Sequence, residues 1–265
     1  MLFKVTNFCS MGCSHCMEDS TIKGEHMTWE TFQSAIELTT RLESLAWSMG
    51  CPRLILLSGG ECTEHPDIVR FLEELRARDF HVMLITNGMW LENDDLQKSL
   101  LRPEWGTFPR VQVTNDPRFY PRKPPSIEDE RVTFVPSLTH LITLGRAARK
   151  KNLDAKGLPT RHGPTSFNLR SLTRSYASIE KAIAVLRARA MMGLSGHCSP
   201  SISEDGTLVA GETRSCFKIG TTTSSNAEIT KATMAMRCNT CGLVDNLSQA
   251  EKRAIGEVSL FLGTE

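Results

Sequence analysis

Leu2-Phe-Lys-Val-Thr6-Asn-Phe-Cys9-Ser-Met-Gly-Cys13-Ser-His-Cys16 opens with a short strand pattern and runs directly into three cysteines spaced Cys-x3-Cys-x2-Cys. One tight loop then offers three thiolates, enough to hold three irons of a [4Fe–4S] cube. The fourth iron is left without a protein ligand, open to chelation by a small molecule. Zinc is the rival reading, but a structural zinc wants four closed ligands. His15 is a candidate fourth ligand, yet it adjoins Cys16 and is badly placed to reach the same ion.

Moving outward, the first 135 residues alternate between strand and helix patterns. Thr28 caps a helix that continues toward Met49, with Glu30 and Glu37 on its polar side. Arg53-Leu-Ile-Leu-Leu-Ser58 is a compact apolar run of the buried parallel-strand type. Pro66 starts a second helix through Arg78, with Ile68, Phe71, Leu72 and Leu75 on one face. Strands follow at 81–86, 110–114 and 131–135, with a further helix over 94–101. Such alternation implies a parallel sheet with right-handed crossovers. Sites in these folds gather at the carboxyl ends of strands. The cysteine loop, Ser58-Gly59-Gly60-Glu61, Thr86-Asn87-Gly88 and Thr114-Asn115-Asp116 each follow a strand, which predicts one site at one rim.

The chain has 265 residues, 40% hydrophobic and 23% charged, an ordinary composition for a globular protein with a real core. No stretch approaches the roughly 20 apolar residues of a membrane span, and no signal-peptide pattern precedes Cys9. The expected location is the cytoplasm, where grouped cysteines mean metal or catalysis rather than disulfides. Charge is uneven: 8 basic against 15 acidic side chains over 1–101, then 17 against 7 over 102–190. The basic middle reads either as a site for an anionic group or as a solvated face. No nucleic-acid module is visible. Residues 145–170 carry several Gly and Pro in a basic, aperiodic stretch, expected to be a surface loop or flap. An amphipathic helix follows over 179–192. Beyond 195 the chain reads as a small unit with a hairpin at Ser203-Glu-Asp-Gly206, so the expected division is 1–195 and 196–265.

Nine cysteines divide into the first three, a C-terminal four (Cys198, Cys216, Cys238 and Cys241), and the singles Cys51 and Cys62. Two of the four flank the hairpin and two form a distal Cys-x2-Cys, so all four can converge on one metal centre. A four-cysteine zinc ribbon is one reading of that set. Two glycines before Glu61 suit close backbone approach to a ligand, and the carboxylate suits an ammonium.

Taken together, the cysteine loop and Gly59-Gly60-Glu61 resemble the radical S-adenosylmethionine (radical SAM) superfamily. The C-terminal cysteines, with Ser203-Glu-Asp-Gly-Thr-Leu and Lys218-Ile-Gly220, resemble its Twitch or SPASM region. The resemblance implies an α/β fold, a partial (β/α)6-type parallel barrel with a small cluster-binding hairpin/helix appendage. It implies a SAM-binding [4Fe–4S] cluster on Cys9, Cys13 and Cys16, and an auxiliary [4Fe–4S] cluster on Cys198, Cys216, Cys238 and Cys241. It places S-adenosylmethionine on Ser58, Gly59, Gly60 and Glu61, with His15 near adenine and Thr114, Asn115 and Asp116 near ribose or the methionine carboxylate. Two departures stand out: Cys62 occupies a place usually held by proline, and His15 one usually held by an aromatic residue. A buried bystander is the plain reading of Cys62.

The implied reaction is reductive cleavage of SAM to a 5′-deoxyadenosyl radical, followed by hydrogen abstraction from a substrate. The auxiliary cluster would accept an electron in a net oxidation. The substrate is expected to be a peptide, a protein or a small molecule, and the reductant a flavodoxin or ferredoxin. With only eight residues before Cys9, no leader-recognition domain is expected there, while a separate recognition partner stays open. A non-catalytic iron–sulfur or redox-sensing protein is the alternative class, and a structural zinc in the C-terminal set is the alternative metal. If the reaction is a dehydrogenation, an Arg, Lys or His of the basic segment such as Arg146 or His162 could accept the proton, but a structural or solvated role is the favoured reading of each.

Overall fold

The computed structural model describes residues 1–135, 141–142, 145–149, 160–161, 169–191, 199–214 and 216–236. Strand β1 (Leu2–Thr6) lies inside the sheet, with Phe3 and Val5 fully buried. Helix α1 (Trp29–Ser48) starts where Thr28 caps it, the Thr28 hydroxyl accepting from the Thr31 amide at 3.2 Å. β2 (Leu54–Gly59), α2 (Ile68–Ala77), β3 (His81–Thr86), α3 (Asp94–Leu100), β4 (Arg110–Thr114) and β5 (Val132–Val135) follow in order. Strands β1 to β5 are all parallel and lie side by side in chain order. The expected α/β parallel sheet is therefore present.

Alternation along the strands decides which face meets the helices. Ile55 and Leu57 of β2, Val82 and Leu84 of β3, and Val111 and Val113 of β4 are buried, the period of 2 that a pleated strand imposes. Phe32 of α1 stacks on Phe71 of α2, with ring centroids 3.9 Å apart and planes 3° from parallel. Both rings are fully buried.

Helix α2 begins at Ile68, two residues after Pro66, the start expected from the sequence. The cause is His65, which is buried and has both ring nitrogens engaged. Its Nε2–H donates to the Met27 carbonyl at 2.9 Å, and its Nδ1 accepts from the Asp67 amide at 3.0 Å. The turn through Pro66 is thereby held outside the helix, and the Asp67 side chain makes no cap bond.

The second half departs further from expectation. Strands β6 (Leu141–Ile142) and β7 (Thr160–Arg161) pair parallel in a separate two-stranded sheet. Within the stretch expected to be loop, Gly145–Arg149 is helical (α4). Its start is pinned by the Arg146 and Ala147 amides donating to the Cys16 carbonyl at 2.9 and 3.3 Å. Helix α5 (Leu169–Tyr176), unread in the sequence, buries Leu169 and Leu172 against α6 (Ile179–Met191) and the later α7 (Asn226–Ala235). Glu43 of α1 is buried and pairs with Arg187 of α6 at 2.6 Å and with the Met1 ammonium at 2.8 Å. Burial opposes its ionisation, but those two cations hold its carboxyl below the usual range.

The hairpin forms as expected, from β8 (Ser201–Ile202) and β9 (Thr207–Val209), with Gly206 at φ 78° in the turn. It does not stand apart from the sheet: β8 pairs parallel with the free edge of β1, and β10 (Lys218–Thr221) closes the edge beyond β9. Helix α7 begins with a reciprocal capping box between Ser225 and Glu228. Among the described residues, no helix is long and apolar enough to cross a membrane.

Burial, with His26 adjoining and opposed by Asp67, pulls the His65 pKa below its ordinary 6.5. The unfolded chain then binds the extra proton first, so this contribution to stability is complete above about pH 6.5 and fades as pH falls below it. Denaturant unfolding from pH 7.5 to 4.5 should show a His65→Gln variant with a flatter acid limb than the parent protein. An identical limb would show that His65 does not titrate this way.

Candidate cluster and cofactor site

A cavity of about 370 Å3 opens at the carboxyl ends of β1 to β5. Its lining includes Cys9, Cys13 and Cys16 from the loop after β1, and Ser58, Gly59, Gly60 and Glu61 from the end of β2. His15, Thr86, Asn87, Thr114 and Arg146 also line it. The single rim site predicted from strand ends is thus one physical space.

The glycines line the cavity and also close a backbone seam. The Gly60 amide donates to the Thr6 carbonyl at 2.7 Å, and the Glu61 amide to the Phe8 carbonyl at 2.8 Å. A Cβ on Gly59, whose φ is 141°, would collide with the Thr6 carbonyl, and one on Gly60 with the Phe8 carbonyl. A close approach that demands glycine is therefore backbone against backbone, β2 against the exit of β1.

Glu61 is buried, and its carboxylate is well supplied with donors. Oε1 accepts from the Thr63 amide at 3.1 Å and from the Thr63 and Thr86 hydroxyls at 2.6 Å each, while Oε2 accepts from the Asn87 amide at 2.7 Å. Burial pushes its pKa up and these donors pull it back, leaving it raised. Each carboxylate oxygen offers about two lone-pair sites, so Oε1 is fully taken and the free site lies on Oε2, which has one donor. Cys62, immediately after it, is fully buried and points into the core, its thiol 3.5 Å from the Ile85 carbonyl. Burial, then the Glu61 charge, push that thiol well above its ordinary range. The bystander reading of Cys62 fits this placement.

The imidazole of His15 lies against Phe119 and Tyr120, with centroids 5.0 and 4.8 Å away. Burial drops its pKa to about 4, so the ring is neutral at pH 7. Of the trio after β4, Thr114 faces the cavity and shares a 3.3 Å hydrogen bond with the Tyr120 hydroxyl. Asn115 and Asp116 are absent from the lining. Asn115 instead donates to the Arg122 carbonyl at 3.0 Å. Asp116 pairs with Arg118, and its carbonyl accepts from the Phe119 and Tyr120 amides, which seats both rings under His15. Sequence reasoning missed Tyr120, Gln112 and Glu18 as lining residues. Tyr120 carried no motif signal, because its place depends on the turn that Asp116 makes.

Cys9, Cys13 and Cys16 are unbridged. Burial raises Cys9 to about 11 and Cys13 to about 12, and further charge between Cys13 and its two neighbouring thiols adds to its rise. Thiols raised in this way ionise together only beside a cationic centre. Among the described residues, no three His, Cys, Asp or Glu side chains converge on one metal ion. Thiolates bonded to separate irons of a cube are necessarily further apart than ligands of a single ion. Two buried polar atoms of the lining, His15 Nδ1 and Asn87 Nδ2, have no partner among the described residues. A polar ligand in the cavity would supply one. The residues present therefore suit a cluster with a polar cofactor beside it.

Of the C-terminal set, Cys198, Cys238 and Cys241 lie outside the described residues, as does His162. Cys216 is half-buried, its sulfur 3.4 Å from the Thr213 hydroxyl. Its segment is tied to the cysteine loop through charge. Glu18 pairs with buried Lys4 and accepts from the Arg214 amide at 3.4 Å, and Arg214 also pairs with Glu204.

Residues 3–102 match the model of the Radical SAM superfamily. That span runs from β1 through α3 and contains the three cysteines and Gly59-Gly60-Glu61. No curated protein matches the chain. A solved structure described as "Native anSMEcpe with bound AdoMet" aligns at 12% identity and a TM-score of 0.43, over 98% of this chain and 96% of that one.

Gly60→Ala should lower the melting temperature and reduce iron uptake on anaerobic reconstitution, because its methyl group forces β2 away from the cysteine loop. Cys62→Ala should keep parental iron content. Loss of iron from the Cys62 variant, or parental behaviour of the Gly60 variant, would contradict this geometry.

Proposed function

We propose that the protein is a radical SAM enzyme, with a [4Fe–4S] cluster on Cys9, Cys13 and Cys16 and S-adenosylmethionine bound beside it. The observation that carries this reading is the meeting of the three thiols and the Gly-Gly-Glu strand end in one cavity. The matched family span covers both motifs. When bound and reduced, the cluster supplies the electron that splits SAM into methionine and a 5′-deoxyadenosyl radical, which takes a hydrogen atom from the substrate.

The chain's own groups would orient the cofactor. Glu61 Oε2, with one donor already on it, is suited to accept from the SAM ammonium. Asn87 Nδ2 and His15 Nδ1 offer unsatisfied polar contacts, and the neutral His15 ring suits packing against a base. Thr114 presents its hydroxyl to the same space, whereas Asn115 and Asp116 would serve by holding the rim. Enclosure by the strand ends would keep water from the reactive centre.

The finer reading is an oxidation of a peptide, protein or small molecule, the electron passing to an auxiliary [4Fe–4S] cluster on Cys198, Cys216, Cys238 and Cys241. Flavodoxin or ferredoxin would be the reductant. The ties from Glu18 to the segment carrying Cys216 support communication between the two cysteine sets.

The test is anaerobic reconstitution with iron, sulfide and zinc analysis, then SAM and dithionite. About eight irons per chain would fit two cubes, and about four with one zinc would keep the enzyme but remove its internal electron acceptor. Release of 5′-deoxyadenosine by the parent protein, with background levels from Cys13→Ala, is the expected result. No 5′-deoxyadenosine from an iron-loaded parent would reject the enzyme reading in favour of a non-catalytic iron–sulfur protein.

A further inference from the structure

The cysteine loop has little scaffolding of its own. Within 9–16 the one internal backbone hydrogen bond among the described residues is from the Cys16 amide to the Cys13 carbonyl, at 3.4 Å. A loop of that length with a single long internal bond samples many backbone states, so its order has to be imposed from outside. Its near end is held by Glu64, whose carboxylate accepts from the Ser10 amide at 2.9 Å and from the Ser10 hydroxyl. The middle is anchored by the Ser14 amide on the Phe119 carbonyl at 3.2 Å.

Glu18 ties the far end to Lys4, and Ser20 donates to Asn7, but the bonds onto the Cys13 and Cys16 carbonyls from outside the loop come from α4. Arg146 Nη1 donates to the Cys13 carbonyl at 2.8 Å. Its Nη2 donates to the Ser20 carbonyl, and its Nε to Asp19 Oδ1 at 3.3 Å. The backbone amides of Arg146 and Ala147 both reach the Cys16 carbonyl. Gly145 is left-handed at φ 56°, and a Cβ there would strike the Met17 carbonyl. Asp19 is itself left-handed at φ 58°, a conformation that costs energy for a non-glycine residue unless surrounding contacts hold it. The guanidinium fork therefore spans the loop, with donors on carbonyls before and after Cys16. Lysine presents a single ammonium and cannot hold those separated acceptors in one fixed geometry.

We propose that Arg146 is the positioning residue that clamps the cysteine loop, fixing the backbone that carries Cys13 and Cys16. It also places a fixed positive charge at the wall of the cavity beside the thiols. This role differs from the proton acceptor considered from the sequence, since three of its nitrogens are committed to the loop. The clamp is a property of the polypeptide alone. Its electrostatic consequence rests on the proposed cluster: a nearby cation favours the more negative, reduced form, so removing it should lower the reduction potential.

The experiment uses the full chain in parent, Arg146→Gln and Arg146→Lys forms. In metal-free protein, amide hydrogen exchange over peptides covering 9–21 should be roughly tenfold faster in both variants, with α1 peptides unchanged as the control for folding. Equal exchange over 9–21 in parent and variants would overturn the clamp. After reconstitution, both variants should lose iron to a chelator faster than the parent. Only Arg146→Gln should show a lower midpoint potential by EPR-monitored titration, because lysine keeps the charge. Parental potentials in the glutamine variant would reject the electrostatic part. A parent protein that takes up no iron would reject the functional reading, while the exchange data would still decide the clamp.

Discussion

The contact on which the rest depends is the seam between the exits of β1 and β2. Two amides of Gly60 and Glu61 dock on the Thr6 and Phe8 carbonyls, at a separation that excludes any side chain on the glycines. From that seam the cysteine loop departs in one direction and the Glu61 carboxylate turns inward in the other. A methyl group at either glycine would move both. The Glu61 carboxylate then ties the seam to β3 through the Thr86 hydroxyl and the Asn87 amide. Three consecutive strand ends are thereby locked into one wall before any ligand is considered. Pre-organisation of this sort spares a bound cofactor the cost of ordering its own site.

Around that wall the molecule resolves its charges by pairing. Glu43 joins α1, α6 and the start of β1, while Lys4 and Glu18 join the cysteine loop to the segment carrying Cys216. Burial pulls the Lys4 pKa down, with Glu18 opposing it. Ion pairs so far from water are strongly destabilising when one partner is removed. They link elements distant in sequence, and the C-terminal strands join the same sheet through β8 on β1. Arg146 extends the pattern by bringing the middle of the chain back onto the cysteine loop.

What was legible in the chain alone was local. Strands and helices through residue 135 followed from periodicity, because each buries one face of a regular element. The three cysteines and Gly59-Gly60-Glu61 declared their chemistry by residue type and spacing, and the strand-end rule put them on one rim. Small misses had nearby causes: Pro66 lies outside α2 because His65 holds the turn.

What only the tertiary structure decided depends on contacts between residues far apart in the chain. Tyr120 lies beneath His15 because Asp116 folds a turn there, and Asn115 and Asp116 are spent on that rim rather than on the cavity. Helix α4 is anchored by the Cys16 carbonyl, a partner 130 residues away that no local pattern announces. The glycines proved to serve a backbone seam, since composition can state that space is needed but not what fills it. Local propensity and spacing thus determined which chemistry the chain carries. Long-range packing, where hydrogen-bond donors meet whichever acceptors the fold delivers, decided which residues face that chemistry.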